Sequence, residues 1–312
     1  MKAVVCKVYG PPESLVIEEV EPLKAGRRQV VISVKACGVN FPDTLIIQGK
    51  YQFKPSTPFS PGSEIAGIVK ELGEGVDRVK VGDRVVVFTG WGGFAEEIVV
   101  DAAQLIPMPE GMDFTSASAF VLTYGTSHYA LKDRAQLKAG ETLLVLGAAG
   151  GVGLATIQIG KVIGARVIAA ASTDEKLAVC KQQGADEIIN YTTEDLKERV
   201  KELTGGNGVD VVFDPVGGDY SEAALRGMAW NGRFLVVGFA AGNIPRIPLN
   251  LTLLKGCSIV GVFWGSFTAR DPRRNQEHLQ ELLTWFASGK IQPVVSATYP
   301  LEHAADALND MM

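Results

Sequence analysis

The densest chemistry in this chain lies in one stretch, Leu143-Leu144-Val145-Leu146-Gly147-Ala148-Ala149-Gly150-Gly151-Val152-Gly153. The leading apolar residues read as a buried strand, and the glycines after them as a turn opening a helix at 152–163. At such a junction small residues let the backbone approach a pyrophosphate, whose charge the free N–H groups of the helix start stabilise. Glycines also mark ordinary turns. The strand before and the helix after are what make Ala148, Ala149, Gly150, Gly151, Val152 and Gly153 candidate nucleotide contacts. The next strand ends in Ala169-Ala170-Ala171-Ser172-Thr173-Asp174-Glu175-Lys176. An NAD-binding turn places a carboxylate there for the ribose 2′-OH, and Ala171 stands in its place. Ser172 offers a hydroxyl, Lys176 a positive charge one turn into the next helix, and Tyr191 could close the same pocket. Lys176 alone would be an ordinary solvated residue, and Asp174 and Glu175 ordinary acids at a helix start. Together the set favours NADPH over NADH.

A scaffold of alternating strands and helices has to position these residues. From about residue 137 the chain supplies one: strands at 143–146, 166–170, 209–213 and 233–237 alternate with helices at 152–163, 174–183, 196–203 and 221–229. Such βα units predict a doubly wound parallel sheet. A further strand at 258–263, a helix at 276–288 and a terminal β/α piece follow. The first third is β-rich instead, with β-branched runs such as Val30-Val31-Ile32-Ser33-Val34 and Val85-Val86-Val87-Phe88 between Gly/Pro punctuation. The expected division is 1–122 with 264–312 for one domain and 123–263 for the nucleotide domain.

Composition narrows the function. A chain of 312 residues suits two domains, and 46% hydrophobic with 21% charged residues is an ordinary globular balance. The net charge of -5 and the lack of a long basic run argue against nucleic acid as the main partner; Arg270, Arg273 and Arg274 read as a solvated loop. Cys6, Cys37, Cys180 and Cys257 form no CxxC pair, and the N-terminus runs straight into strand-like sequence without a signal peptide. Free thiols and a cytoplasmic location are expected. The uncharged stretch from Thr142 to Gly160 has the length of a membrane span, but its glycines break it into strand, turn and helix. No membrane association is expected.

Several spaced motifs add to this reading: Gly38-Val39-Asn40-Phe41-Pro42-Asp43, Pro61-Gly62-Ser63-Glu64-Ile65-Ala66-Gly67, Val81-Gly82-Asp83-Arg84-Val85, the glycine turn, and Gly184-Ala185-Asp186 before Ile189-Asn190-Tyr191. In this order, across essentially the whole chain, they resemble the zinc-independent quinone oxidoreductase (zeta-crystallin-like) branch of the medium-chain dehydrogenase/reductase superfamily. The resemblance implies an α/β chain with a GroES-like β-rich catalytic domain and a Rossmann nucleotide-binding domain. Zinc-dependent relatives place metal ligands where Asn40, Phe41 and Ser63 stand, and Glu64 alone cannot make a site that needs about three ligands. His128, His278 and His303 lie outside ligand spacing. No metal is expected.

The resemblance further implies hydride transfer from NADPH to a quinone or an α,β-unsaturated carbonyl. It places Asn40 near the nicotinamide and ribose and Tyr51 at the substrate cleft, while Leu45 replaces another family tyrosine. Thr126 and Tyr129 match cofactor contacts, and Gly238, Phe239, Phe263, Trp264 and Gly265 would line the nicotinamide pocket. Core packing is the plainer reading of those aromatics. It also implies a homodimer joined through the edge strand at 257–263. Relatives usually continue past Met312 through a basic stretch and one final strand; either the chain is truncated there or this member differs, with a basic phosphate contact from that tail open in both cases. Two other readings stay open, an enoyl-thioester reductase and a crystallin-like NADPH-binding protein with little turnover.

Overall fold

The computed structural model describes residues 1–312. It divides into two compact units, Met1–Leu122 with Pro293–Met312, and Thr123–Gln292.

In the first unit, β1 (Lys2–Val5) and β2 (Val16–Glu19) form an antiparallel ribbon. Strands β3 (Gln29–Gly38), β4 (Glu64–Leu72), β5 (Arg84–Phe88), β6 (Glu97–Asp101) and β7 (Ile106–Pro107) make an antiparallel sheet in the order β6-β3-β4-β5-β7. Alternate residues (Val30 and Ile32, Val85 and Val87, Ile98 and Val100) fill one core, as a period of two demands. A second core joins Val4, Ile46, Ile47 and Phe94 to Ala304 and Leu308 of the last helix, Ala304–Met311.

The second unit is a parallel sheet of β8 (Thr142–Val145), β9 (Arg166–Ala171), β10 (Glu187–Asn190), β11 (Val209–Asp214), β12 (Met228–Val236) and β13 (Ser258–Gly261). Its order, β10-β9-β8-β11-β12-β13, is the doubly wound order of a Rossmann sheet. The order reverses between β8 and β11, and ligands of such sheets bind outside the carboxyl ends of the strands at that point. Helices Gly151–Ile163, Asp174–Gln182, Leu196–Leu203 and Asp219–Arg226 follow their strands.

Three expectations shift. The helix expected at 221–229 runs Asp219–Arg226, because Gly227 caps it and Met228, buried in the core, already belongs to β12. The terminal piece is helical only, since residues 289–300 contain no strand. The first change of unit falls at the expected 122/123, but the second falls after Gln292 instead of after Phe263. Helix Pro272–Ala287 accounts for this, because it buries His278, Leu279 and Leu282 within the second unit.

His128, wholly buried, places Nε2 2.8 Å from Glu281, and its ring lies 4.5 Å from that of His278 and 5.5 Å from that of Trp285. Lys132 donates to the same Glu281 at 2.7 Å, while His278 lies 3.2 Å from Asp133, which also pairs with Arg274. Burial pushes His128 down to about 4 despite Glu281, and lowers His278 too. Both rings are neutral at pH 7. The unfolded chain binds their protons first, so stability is full above about 6.5 and is lost as pH falls towards the folded value. The His128 share is about 3 kcal/mol once the drop is complete. Urea unfolding at pH 7 and pH 5 should show the fall in wild type and a flatter dependence in His128→Asn; equal slopes would contradict it.

Candidate active site

The second unit exposes bare backbone at the carboxyl end of β8. Gly147 is left-handed (φ +56°), and helix Gly151–Ile163 starts from an extended Gly150 with no side-chain cap. A Cβ on Gly153 would lie 2.6 Å from the carbonyl oxygens of both Gly147 and Ala148. No side chain therefore competes for the first N–H groups, which suits an anionic group. Ala148 is fully buried, whereas Gly150 and Gly151 are exposed. Ser127 donates to the Val152 carbonyl at 2.9 Å and accepts from Thr156 at 3.0 Å. These bonds anchor the glycine helix to helix Val121–His128, which carries Thr126. Tyr129 opens the π-helical continuation and stacks on Phe267, with centroids 4.2 Å apart.

At the end of β9, Lys176 Nζ donates to Ser172 Oγ at 3.3 Å. The Thr192 hydroxyl donates to the Ser172 carbonyl at 3.0 Å, and Asn190 engages the Asp174 carboxylate at 2.8 Å. Ala171 is 2% exposed. The Tyr191 N–H donates to the Ala171 carbonyl at 3.2 Å, while its ring sits 4.2 Å from that of Tyr220, and both line a cavity of about 700 Å³ with Lys197, Gly218, Arg226 and Arg246. Thr192, which sequence reasoning missed, is the residue that reaches Ser172.

Another missed residue is Asp214, at the end of β11. It is 3% exposed and accepts from the Val216 and Gly217 N–H groups at 2.8 Å and from Ser221 Oγ at 2.6 Å. The turn it fixes, with Gly217 at φ +71° and Gly218 at φ +63°, sets Val216 against Gly147 and Gly217 beneath the Phe239 ring. Gly238 packs on the Pro215 carbonyl, and Phe263 is half-exposed ahead of helix Trp264–Arg270. Trp264 is buried, pressed against Gly125, so it acts as packing; Gly265 makes no close approach.

In the first unit Asn40 starts the helix Phe41–Ile46 as half of a capping box with Asp43. Its N–H donates to Asp43 at 2.8 Å and its side-chain amide to Glu64 at 3.3 Å. Tyr51 packs, partly buried, on the core of Val4, Ile46, Ile47 and Phe94, its ring 6.0 Å from that of Phe53, and burial together with the Asp43 charge raises its phenol above the usual range. Leu45 is partly buried on the same helix.

Two family models match, an alcohol dehydrogenase GroES-like domain over residues 26–110 and a zinc-binding dehydrogenase over 151–288. The fold and the glycine turn thus define an α/β oxidoreductase with a GroES-like unit and a Rossmann unit that binds a nicotinamide nucleotide. More narrowly, the chain belongs to the quinone oxidoreductase (zeta-crystallin-like) family of medium-chain dehydrogenases/reductases. It is 43% identical to a quinone oxidoreductase-like protein 2 homolog of Nematostella vectensis, across 98% of this chain and 84% of that protein. To the quinone oxidoreductase of Rattus norvegicus it is 37% identical, across 100% and 94%. The crystal structure of Escherichia coli quinone oxidoreductase complexed with NADPH superposes with a TM-score of 0.89 at 32% identity, across 99% and 95%.

The zinc named in one of those descriptions does not suit the side chains present. The Asn40 amide is spent as a donor to Glu64, Ser63 offers only a hydroxyl, and no three His, Cys, Asp or Glu side chains gather into a ligand set.

Proposed function

We propose that this oxidoreductase uses NADPH to reduce a quinone or an α,β-unsaturated carbonyl and needs no metal ion. The observation that carries the cofactor choice is the Ser172–Lys176 pair at 3.3 Å beside Ala171, a hydroxyl and a cation where a carboxylate would select NADH. In this reading Ala148, Ala149, Gly150, Gly151, Val152 and Gly153 hold the pyrophosphate, and Ser172 and Lys176 the 2′-phosphate, with Tyr191 flanking the adenosine end. Thr126, Tyr129, Gly238, Phe239, Phe263 and Gly265 border the nicotinamide, with Trp264 packed behind them. The bound nicotinamide supplies a hydride. Asn40 stands near the nicotinamide and ribose, Tyr51 orients the acceptor, and the Tyr51 hydroxyl gives the acceptor oxygen a hydrogen bond. Support for the acceptor class comes from the family and from the unsuitability of Asn40, Ser63 and Glu64 as a zinc set.

The purified protein, given NADPH and a panel of quinones, enals and enoyl thioesters, should oxidise the cofactor with quinones or enals, at a rate that a chelator leaves unchanged. Flat traces with every acceptor would mark a binder, turnover of thioesters alone an enoyl-thioester reductase, and activity lost to chelator and restored by zinc a metalloenzyme.

We also propose a homodimer. β13 closes one edge of the sheet, its Ile259 is 40% exposed, and Trp230, 70% exposed, packs on Gly256 next to it. Exposed edges of this kind invite pairing with a second chain. Sedimentation should give a two-chain species, and a stable monomer at micromolar concentration would rule it out. No helix is long and apolar enough to cross a membrane. With the net charge of -5, this fits a small-molecule acceptor, no nucleic-acid partner and a cytoplasmic place of action.

A further inference from the structure

From Thr123 to Ala130 every residue is buried except Thr126 and Tyr129. At 3.6 residues per turn these two share one side of the helix, and the contacts of the other positions fix what flanks that side. Thr123 and Ser127 meet the start of the glycine helix: a Cβ on Gly151 would stand 3.0 Å from the Thr123 methyl, and Ser127 donates to the Val152 carbonyl at 2.9 Å. Gly125 and Tyr129 meet helix Trp264–Arg270, the first at the Trp264 ring and the second at Phe267. His128 and Lys132 meet Glu281 of helix Pro272–Ala287. The open side therefore runs from the glycine helix to helix Trp264–Arg270, with the Tyr129 ring at its far end.

The Gly125–Trp264 contact sets that end. A Cβ on Gly125 would lie 2.7 Å from the Trp264 ring, so only glycine lets the two helices come this close. Four residues beyond Gly125 and three beyond Trp264, Tyr129 and Phe267 then meet as near-parallel rings, with centroids 4.2 Å apart and planes 13° apart. Phe267 lies in turn 5.4 Å from the buried ring of His278. Core packing alone would bury Tyr129, and a solvated tyrosine would need no stacked partner. This ring is backed yet partly open, and its hydroxyl bonds to nothing in the chain. It also begins a π-helical turn, in which the Ala135 N–H donates to the Ala130 carbonyl at 2.8 Å, and such turns gather at functional sites.

We propose that Phe267 is a positioning residue: stacked on Tyr129 and held in register by the Gly125–Trp264 contact, it fixes the Tyr129 ring against the nicotinamide half of the cofactor. Phe267 itself touches neither cofactor nor acceptor. This rests on the cofactor reading given above. A tyrosine free to change rotamer loses that freedom each time the cofactor binds, whereas a stacked one has lost it on folding.

Fluorescence titration of the whole chain with NADPH tests this through a double-mutant cycle. Phe267→Leu keeps apolar bulk without a ring and should raise the dissociation constant about three- to tenfold, the range an aromatic pair is worth. Phe267→Tyr keeps the ring and should bind within about twofold of wild type. Tyr129→Leu should lose at least as much as Phe267→Leu. In that background Phe267→Leu should lose less than about twofold more, because residues that act through one contact are not additive. Equal losses in both backgrounds would mark a general structural role and overturn the proposal, as would unchanged affinity in Phe267→Leu or in Tyr129→Leu. If Phe267→Leu fails to fold, Gly125→Ala, which pushes on the Trp264 ring, takes its place in the cycle. The nicotinamide half is common to both cofactors, so a protein that prefers NADH refutes the cofactor proposed above, and the same cycle with NADH decides the role of Phe267. A protein that binds neither nucleotide refutes both.

Discussion

Ala171→Asp is expected to cost about thirtyfold in kcat/KM with NADPH and to shift preference towards NADH. Ala171 ends β9, nearly buried, one residue before the Ser172 hydroxyl that Lys176 contacts at 3.3 Å. A carboxylate there would leave the strand end beside the 2′ position of a bound adenosine ribose. It could accept a hydrogen bond from a 2′-OH but would face a 2′-phosphate. Two like charges at about 4 Å repel by roughly 4 kcal/mol at an effective dielectric of 20, and screening with side-chain movement leaves about 2 kcal/mol. Lys176→Ala should weaken NADPH selectively and by less, since an exposed charge contact is worth about 1 kcal/mol or under. Steady-state kinetics with both cofactors decide it. A wild type that already prefers NADH, or an Ala171→Asp that weakens both cofactors equally, would sink the assignment.

Gly153→Val should weaken binding of the nucleotide and also damage the fold. Its Cβ would stand 2.6 Å from two backbone carbonyl oxygens, those of Gly147 and Ala148, which cannot swing aside as a side chain can. Either the turn opens or the helix start retreats, and both distort the N–H groups that face a pyrophosphate. Overpacking of this kind costs about 1–3 kcal/mol. Affinity for NADPH should fall at least about tenfold in a fluorescence titration, with a lower urea midpoint alongside. A variant that binds NADPH like the wild type would show that the turn does not carry the cofactor.

The parts most legible in the sequence were those whose local rule coincides with their global place. The apolar run before Gly147 became β8, and β9 and β11 formed close to their expected positions, because a buried parallel strand needs only a short β-branched or apolar run between breakers. Helices Asn250–Lys255 and Trp264–Arg270 were not legible, being too short to show a period. Helix Pro272–Ala287 was expected, but its narrow apolar stripe does not say which unit it covers. At the site, the position of Lys176 one turn into the helix that follows Ser172 was legible, because Thr173 caps a helix that starts at Asp174. The placement of Tyr191 against Tyr220 was not, because it depends on how the segments after β10 and β11 approach one another. The Asn40 bridge between Asp43 and Glu64 likewise needs β4 beside the helix start, a contact that sequence spacing does not encode.

The turn held by Asp214 bears on the kinetics of cofactor capture. Two N–H groups and the Ser221 hydroxyl already fix residues 214–217 on one carboxylate, and Val216 already lies against Gly147. A nucleotide arriving at the glycine turn meets a wall that has paid its ordering entropy during folding. Association then needs no loop closure of its own, so cofactor variants of the β9 end should differ mainly in how fast they dissociate, with closely similar rates of association.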